Sequence, residues 1–198
     1  MLKITAMPLG DYQTNCYLVH EEGSRECVVI DPGYTPELIL NRAKWENLEI
    51  KAILLTHGHF DHVGGVREIA AETDCEVYLQ QEDLSMPPAL TAGPLYYTKL
   101  YDEGDVITEA GLTFRVIHTP GHTPGSVCLI CGDSMFSGDT LFAGSCGRTD
   151  MPGGSWADMM KSMKRLRTIP DHLNVYPGHG PASTLDDEKA HNPYMKGE

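Results

Sequence analysis

The sequence has few basic residues: 15 Lys and Arg stand against 28 Asp and Glu in 198 residues, for a formal net charge of −13 at pH 7. A surface this acidic repels a phosphate backbone unless a local basic patch offsets the repulsion. The densest basic stretch, from Lys161 to Arg167, has the spacing of a solvated helix face. We therefore expect no nucleic-acid partner.

Long apolar runs are also missing. No stretch approaches the roughly 18 apolar residues that a membrane span needs. The segment from Met1 to Thr5 lacks the apolar core of a secretory signal peptide. With 41% hydrophobic and 22% charged residues, the chain is expected to form one globular domain over residues 1–198. We expect a cytoplasmic protein without a membrane partner.

The six cysteines do not predict a disulfide framework. Four of them lie in strand-like runs, where cysteine usually acts as a small buried hydrophobic residue. Two of these, Cys128 and Cys131, form a C-x-x-C pattern. Residues i and i+3 of a strand face opposite sides of a sheet, so these sulfurs are not expected to hold a common metal. Cys146, in a glycine-rich loop, is the one cysteine of functional interest.

Apolar alternation and β-branched residues predict two blocks of strands, each followed by helical segments. Strands are expected at 2–6, 15–20, 26–31, 50–56, 76–79, 112–118, 126–131, 134–137 and 173–176. Helices are expected after a cap at Thr35, at 62–73 and at 156–168. This order favours two packed sheets with helices outside them. Residues 86–104 are predicted to form a long loop whose tyrosines either line a substrate site or pack internally.

A cluster of metal-binding residue types follows the strand at 50–56. His57 and His59 are two residues apart in extended chain, so both can point toward one cation. Asp61 and His62, just past the turn, can hold a second cation. The alternative is that Asp61 caps a helix among exposed histidines. Four such side chains within six residues favour the metal site.

Three further candidates also follow apolar strands: His122, Asp139 and His179. Each is flanked by Gly or Pro, which fixes the backbone and allows it to approach an ion closely. Together with the first cluster they provide five imidazoles and two carboxylates, enough for two metals. His118, four residues before His122, competes with it for the role of ligand.

The run from Thr56 to His62, with the loops at His122, Asp139 and His179, resembles the metallo-β-lactamase superfamily over essentially the whole chain. The resemblance implies an α/β (α+β) fold, a four-layer αββα sandwich of two mixed sheets flanked by helices. It implies one metal on His57, His59 and His122. It implies a second metal on Asp61, His62 and His179, with Asp139 bridging the two. Zinc suits such ligands, with iron or manganese as alternatives.

Within the superfamily, the loops from Ser137 to Phe142 and from Gly144 to Asp150 are similar to those of the glyoxalase II group, the hydroxyacylglutathione hydrolases. This resemblance implies a small single-domain member of that group, a thioesterase that cleaves an S-acylglutathione such as S-lactoylglutathione by attack of a metal-bridging hydroxide. Asp61 and Asp139 would be catalytic, and Arg148 would bind the substrate. The chain departs from two-domain members of that group, because only 19 residues follow His179 and Asp150 stands where they have a tyrosine.

Three alternative functions are compatible with the same residues. The segment from Gly147 to Asp150 also resembles the persulfide dioxygenases, which would use a single iron on His57, His122 and Asp139. A lactonase or general esterase of the superfamily is a second alternative. A metal-bound scaffold for a protein partner is the third, and the open, glycine-rich surroundings of the predicted ligands argue against it.

Overall fold

The computed structural model describes residues 1–170 and 172–196, and two six-stranded β-sheets form its centre. The first sheet contains, in spatial order, β1 (Leu2–Leu9), β2 (Thr14–Glu21), β3 (Glu26–Ile30), β4 (Glu49–Leu54), β5 (Glu76–Gln80) and β6 (Lys99–Tyr101). Strands β1 to β3 are antiparallel, and β3 to β6 are parallel. The carboxyl ends of β3, β4 and β5 therefore meet at one edge.

The second sheet begins with β7 (Val106–Glu109), β8 (Leu112–His118), β9 (Val127–Cys131) and β10 (Ser134–Gly138). A two-stranded ribbon follows, formed by β11 (Leu141–Phe142) and β12 (Ser145–Cys146). Strands β13 (Asn174–Pro177) and β14 (Ser183–Thr184) complete the sheet, whose order is β14-β13-β10-β9-β8-β7. Strands β10 and β13 are parallel, and the other described pairs are antiparallel.

Helices cover the outer face of each sheet. Helices α1 (Pro36–Trp45) and α3 (Val66–Thr73) pack on the first sheet, and α4 (Trp156–Arg167) and α5 (Leu185–His191) pack on the second. A further short helix, α2 (Phe60–Val63), directly precedes α3. A 3₁₀ helix, Gln81–Ser85, follows β5. Among the described residues, none of these helices has the length and apolar character required to cross a bilayer.

Strand alternation divides the core into three apolar layers. Along β3, Val28 and Ile30 pack between the sheets, whereas Cys27 and Val29 pack beneath α1 and α3. In the second sheet, Cys131 faces the layer between the sheets and Cys128 faces α4. The result is the predicted αββα sandwich, and the two sulfurs of the C-x-x-C pattern lie on opposite faces. All six cysteines are free thiols.

The predicted helix at 62–73 is instead two helices separated by Gly64 and Gly65. The turn from Asp31 to Gly33 packs against this break, and the backbone N–H of Gly65 donates to the carbonyl of Pro32 at 2.8 Å. A Cβ on Gly64 would lie 2.3 Å from the carbonyl oxygen of Gly33. The close approach of two backbones therefore interrupts the helix.

Two other local predictions were wrong in part. Thr35 precedes α1, but its backbone is left-handed (φ 46°) and its side chain makes no capping hydrogen bond. The predicted loop at 86–104 contains β6, because Lys99–Tyr101 adds to the open edge of β5. Tyr101 packs between the sheets and its hydroxyl donates to the carbonyl of Leu55. The packing alternative therefore holds for this tyrosine.

Candidate metal centre

Loops at one edge of the sandwich bring all seven predicted ligands together. The run from His57 to His62 follows β4 in the first sheet. His122, Asp139 and His179 follow β8, β10 and β13 in the second sheet, whose carboxyl ends lie at the same edge. Side chains separated by more than 100 residues in the sequence therefore meet between the two sheets.

The first ligand group consists of His57, His59 and His122. One ligand atom from each lies within 4.8 Å of the others, and all three side chains are buried. His59 Nδ1 is 2.8 Å from His122 Nε2. Burial and the imidazole of His62 hold the pKa of His57 well below its usual value, and burial with His122 lowers the pKa of His59 to about 4. Neutral imidazole is the form that binds metal ions.

The second ligand group consists of Asp61, His62 and His179, with ligand atoms again within 4.8 Å of one another. His179 Nε2 lies 3.3 Å from Asp61 Oδ2. Burial lowers the pKa of His179, but the carboxylates of Asp139 and Asp61 outweigh this effect and raise it to about 9. A metal ion that binds here must therefore displace a proton.

Asp139 lies between the two groups. Its Oδ2 is 3.3 Å from His122 Nε2 of the first group and 3.5 Å from His179 Nε2 of the second, and its Oδ1 is 3.4 Å from His62 Nε2. Burial alone would raise the pKa of this carboxyl, but the neighbouring imidazoles of His62 and His179 hold it well below its usual value. A charged carboxylate in this position can contact ions in both groups.

Several buried polar atoms of the site have no hydrogen-bond partner among the described residues. They are the Nε2 atoms of His57, His59 and His62 and the Oδ1 atom of Asp139. An unsatisfied buried polar atom costs about 1–3 kcal/mol, so native proteins rarely accumulate several in one place. Nitrogen and carboxylate donors of this kind match divalent metal ions. The residues therefore fit a metal centre.

Hydrogen bonds on the far side of three rings fix their orientation. The Nδ1 atoms of His62, His122 and His179 donate to Asp31 Oδ2 at 2.9 Å, to the Arg148 carbonyl at 2.8 Å and to the Tyr12 carbonyl at 3.1 Å. A proton held on Nδ1 leaves the lone pair of Nε2 free for a metal ion. This arrangement favours coordination through Nε2 in all three rings.

Asp31 supports the site and was not predicted as part of it. Its carboxylate accepts hydrogen bonds from the backbone N–H of Thr56 at 2.8 Å, the Thr56 hydroxyl at 2.6 Å and His62 Nδ1. Its position directly after a buried strand and before Pro32-Gly33 matches the pattern of the other site residues. That pattern was the signal in the sequence that could have identified it.

A second supporting carboxylate, Asp83, had no such signal, because it lies in the 3₁₀ helix after β5 and far from any histidine in the sequence. It is fully buried. Its oxygens accept hydrogen bonds from the backbone of Gly58 and Gly125 and from the Thr123 hydroxyl. Burial outweighs these bonds and raises the pKa of the carboxyl.

A cavity of about 410 Å³ opens onto both ligand groups. Apolar side chains form much of its wall, namely those of Tyr12, Phe60, Leu90, Phe142 and Met151. The Tyr12 ring packs edge-on against Phe60 with 5.4 Å between centroids. Half-buried Cys146 also reaches the cavity. Of the segment 86–104, Leu90 lines this cavity, whereas the Tyr96 ring lies under the guanidinium of Arg67.

Arg148 also borders the cavity. Its guanidinium is exposed and forms two hydrogen bonds with the carboxylate of Asp150, at 2.7 and 2.9 Å. Its backbone carbonyl, as described above, accepts from His122. The structure therefore places the guanidinium that is predicted to bind substrate at the rim of the cavity, where it is paired with Asp150.

His118 is not part of either ligand group. Its Nε2 lies 2.7 Å from the carbonyl of Pro124, and its backbone N–H donates to Glu103. The His118 ring therefore supports the 119–125 loop through Pro124, whereas the His122 ring lies in the first ligand group. His122, and not His118, therefore lies beside His57 and His59.

The ribbon that carries Phe142 and Cys146 is held by α5. Asn192 donates to the carbonyls of Phe142 at 3.3 Å and Ser145 at 2.9 Å, and Glu188 accepts from the backbone N–H of Gly144 at 2.9 Å. Both side chains are buried. Sequence patterns did not predict α5, so this support for the cavity wall was missed.

Residues 9–179 match the family model of the metallo-beta-lactamase superfamily, and the chain belongs to that superfamily. The hydroxyacylglutathione hydrolase GloC of Haemophilus influenzae is 31% identical over 209 residues, which cover 98% of each chain.

Solved structures with similar folds are also found. The B3 metallo-beta-lactamase BLEG-1 is 37% identical with a TM-score of 0.88, and the match covers 100% of both chains. TTHA1623, crystallised in a di-iron-bound form, is 39% identical with a TM-score of 0.85, covering 96% of this chain and 99% of that one. ETHE1 from Myxococcus xanthus is 29% identical with a TM-score of 0.84, covering 96% and 83%.

Proposed function

We propose that the chain is a two-metal hydrolase that cleaves thioesters, with a small S-acylglutathione such as S-lactoylglutathione as its substrate. One observation carries the proposal: two complete ligand groups lie side by side, with Asp139 between them, at the floor of a cavity with apolar walls. Zinc is the proposed metal, with iron or manganese as alternatives.

Bound divalent ions would lower the pKa of a water molecule to near neutrality and would polarise the substrate carbonyl. The protein residues determine where this happens. His57, His59 and His122 would hold one ion, Asp61, His62 and His179 the other, and Asp139 would contact both. Asp61 and Asp139 keep negative charge at the centre. The apolar side chains of the cavity wall would contact the acyl group of the substrate. A thiolate leaves readily because the pKa of its thiol is about 8.5.

Two observations support a glutathione thioester. The GloC relative, which is named a hydroxyacylglutathione hydrolase, aligns over nearly the whole chain. Arg148 stands at the rim of the cavity, where a guanidinium can hold a carboxylate through two hydrogen bonds. The carboxylate of Asp150 is hydrogen-bonded to that guanidinium, so a substrate carboxylate would have to replace Asp150 as its partner.

A second candidate function is persulfide dioxygenation at a single iron on His57, His122 and Asp139. The resemblance of the segment from Gly147 to Asp150 to the persulfide dioxygenases and the 3.3 Å distance between His122 Nε2 and Asp139 Oδ2 favour it. It leaves Asp61 and His179 without a metal ion, whereas the proposed hydrolase uses both. A lactonase or esterase would use the same two-metal centre and would differ in substrate.

The decisive experiment measures the metal content of the purified protein and assays a panel of thioesters, a lactone and a persulfide with the same preparation. About two metals per chain, with thioester turnover and no oxygen uptake, is the expected result. One iron per chain with oxygen uptake on the persulfide would establish the alternative.

Substitution of Asp139 tests whether this residue is a ligand of both metal ions. Asp139→Ala should lower metal content and thioester turnover together, because both ions lose a ligand. Metal content is measured by elemental analysis and turnover by release of the free thiol. A variant that keeps two metals and a near-normal kcat would contradict the assignment.

A further inference from the structure

Asp83 lies outside both ligand groups, yet its carboxylate contacts the loops that carry the first one. Oδ2 accepts hydrogen bonds from the backbone N–H of Gly58 at 2.7 Å and from the Thr123 hydroxyl at 3.1 Å. Oδ1 accepts from the backbone N–H of Gly125 at 2.7 Å. The side chain is fully buried, so these three protein donors replace water.

The donors are placed on both sides of the site. Gly58 stands between His57 and His59, in the loop after β4 of the first sheet. Thr123 and Gly125 follow His122, in the loop after β8 of the second sheet. One carboxylate therefore connects the two loops that supply the three members of the first ligand group.

The fit around this carboxylate is tight. A Cβ on Gly125 would lie 2.7 Å from Asp83 Oδ1, and a Cβ on Gly58 would lie 2.9 Å from the Leu95 side chain. Any larger residue at position 125 would push the second loop away from Asp83. The glycines thus allow both loops to approach the same acidic side chain.

The second ligand group is held by different residues. His62 Nδ1 donates to Asp31, Asp61 Oδ2 accepts from the Thr14 hydroxyl at 3.0 Å, and His179 Nδ1 donates to the Tyr12 carbonyl. None of these contacts involves Asp83. The Thr56 hydroxyl, which donates to Asp31, also lies 3.1 Å from His57 Nδ1, so Asp31 is linked to both groups, whereas the described hydrogen bonds of the Asp83 carboxylate reach only the loops of the first.

We propose that Asp83 is a positioning residue that sets the distance between the His57–His59 loop and the His122 loop, and thereby the metal affinity of the first ligand group. The inference rests on the proposed function only in that this group binds a divalent ion. It makes no use of the substrate.

The test is a titration of the metal-free protein with Zn²⁺ in competition with a chromophoric chelator, which gives both binding constants without substrate. Asp83→Asn keeps the shape, but one oxygen becomes an amide NH₂ that faces N–H or O–H donors. We expect the Zn²⁺ affinity of the first group to fall by about 10- to 100-fold, as is typical when a residue that orients a ligand is lost. The second constant should stay within about threefold.

Glu188→Gln is the matched control, since Glu188 is another buried carboxylate that accepts from a glycine N–H, that of Gly144, but it has no described hydrogen bond to the loops that carry His57, His59 and His122. It should leave both constants unchanged. In a His59→Ala background, where only the second group is complete, Asp83→Asn should have no further effect on Zn²⁺ affinity.

Loss of both constants together, or a lower unfolding midpoint with unchanged constants, would show that Asp83 is merely structural and overturn the proposal. If Asp83→Asn does not fold, the same Zn²⁺ titration is carried out on Thr123→Val, which removes a single donor to Asp83. It should weaken the first constant alone, and unchanged binding would refute the inference. Failure of the thioester assay with intact Zn²⁺ binding would instead count against the proposed function.

Discussion

At the scale of single residues, Arg148 has two possible partners: the neighbouring Asp150 and a carboxylate of the substrate. We predict that Arg148→Ala raises KM for glutathione thioesters by about tenfold, because a charge-assisted hydrogen bond is lost, and leaves kcat nearly unchanged. Asp150→Asn should lower the same KM, since it frees the guanidinium. Steady-state kinetics on a glutathione thioester and on a small neutral thioester measure both effects. Equal losses on the two substrates would show that Arg148 only supports the loop.

The two histidines at 118 and 122 differ in what their rings face. We predict that His122→Ala lowers kcat by roughly 100-fold or more, because loss of a ligand should cost at least as much as loss of a residue that orients one. His118→Ala removes a bond to the Pro124 carbonyl and should act mainly on the unfolding midpoint. Kinetics and zinc content at matched circular dichroism test the difference, and the reverse ranking would identify His118 as the ligand.

At the scale of secondary-structure elements, α5 supports the cavity through the β11–β12 ribbon. Asn192→Ala, at the residue that directly follows α5, removes partly buried hydrogen bonds to the ribbon and leaves its carbonyls unpaired, at a cost of about 1–3 kcal/mol. We predict a lower unfolding midpoint and a raised KM, with zinc content unchanged, because the ribbon forms cavity wall and holds no ligand. Asn174→Ala, at an exposed asparagine, is the control. A loss of zinc would contradict this division of roles.

Several elements were predictable from the sequence because apolar and polar side chains alternate along them or because metal-binding residue types follow them. The β3, β4 and β8 strands show such patterns, and the metal-binding residue types after β4 stand within six positions. The short strands β11, β12 and β14 contain two residues each, too few for a period to appear. Asp83 was not predictable, because its contacts with Gly58 and Gly125 exist only after the two sheets have packed.

At the scale of the whole molecule, the net charge of −13 opposes the approach of an anionic substrate. We predict that added NaCl lowers KM for glutathione thioesters by a few-fold, because the screening length falls from about 30 Å at 0.01 M to about 8 Å at 0.15 M. KM for a neutral thioester should not change. Parallel changes for the two substrates would point to an effect of salt on the protein itself.

The order of the ligands along the chain has a consequence for biosynthesis. His57, His59, Asp61 and His62 emerge from the ribosome early, but the first ligand group is incomplete until His122 follows and the second until His179 follows. The two sites therefore become available one after the other during translation, and the second only after most of the chain has been made. If the ligand groups bind metal as proposed, the second group of a nascent chain could be filled only after β13 of the second sheet has been synthesised.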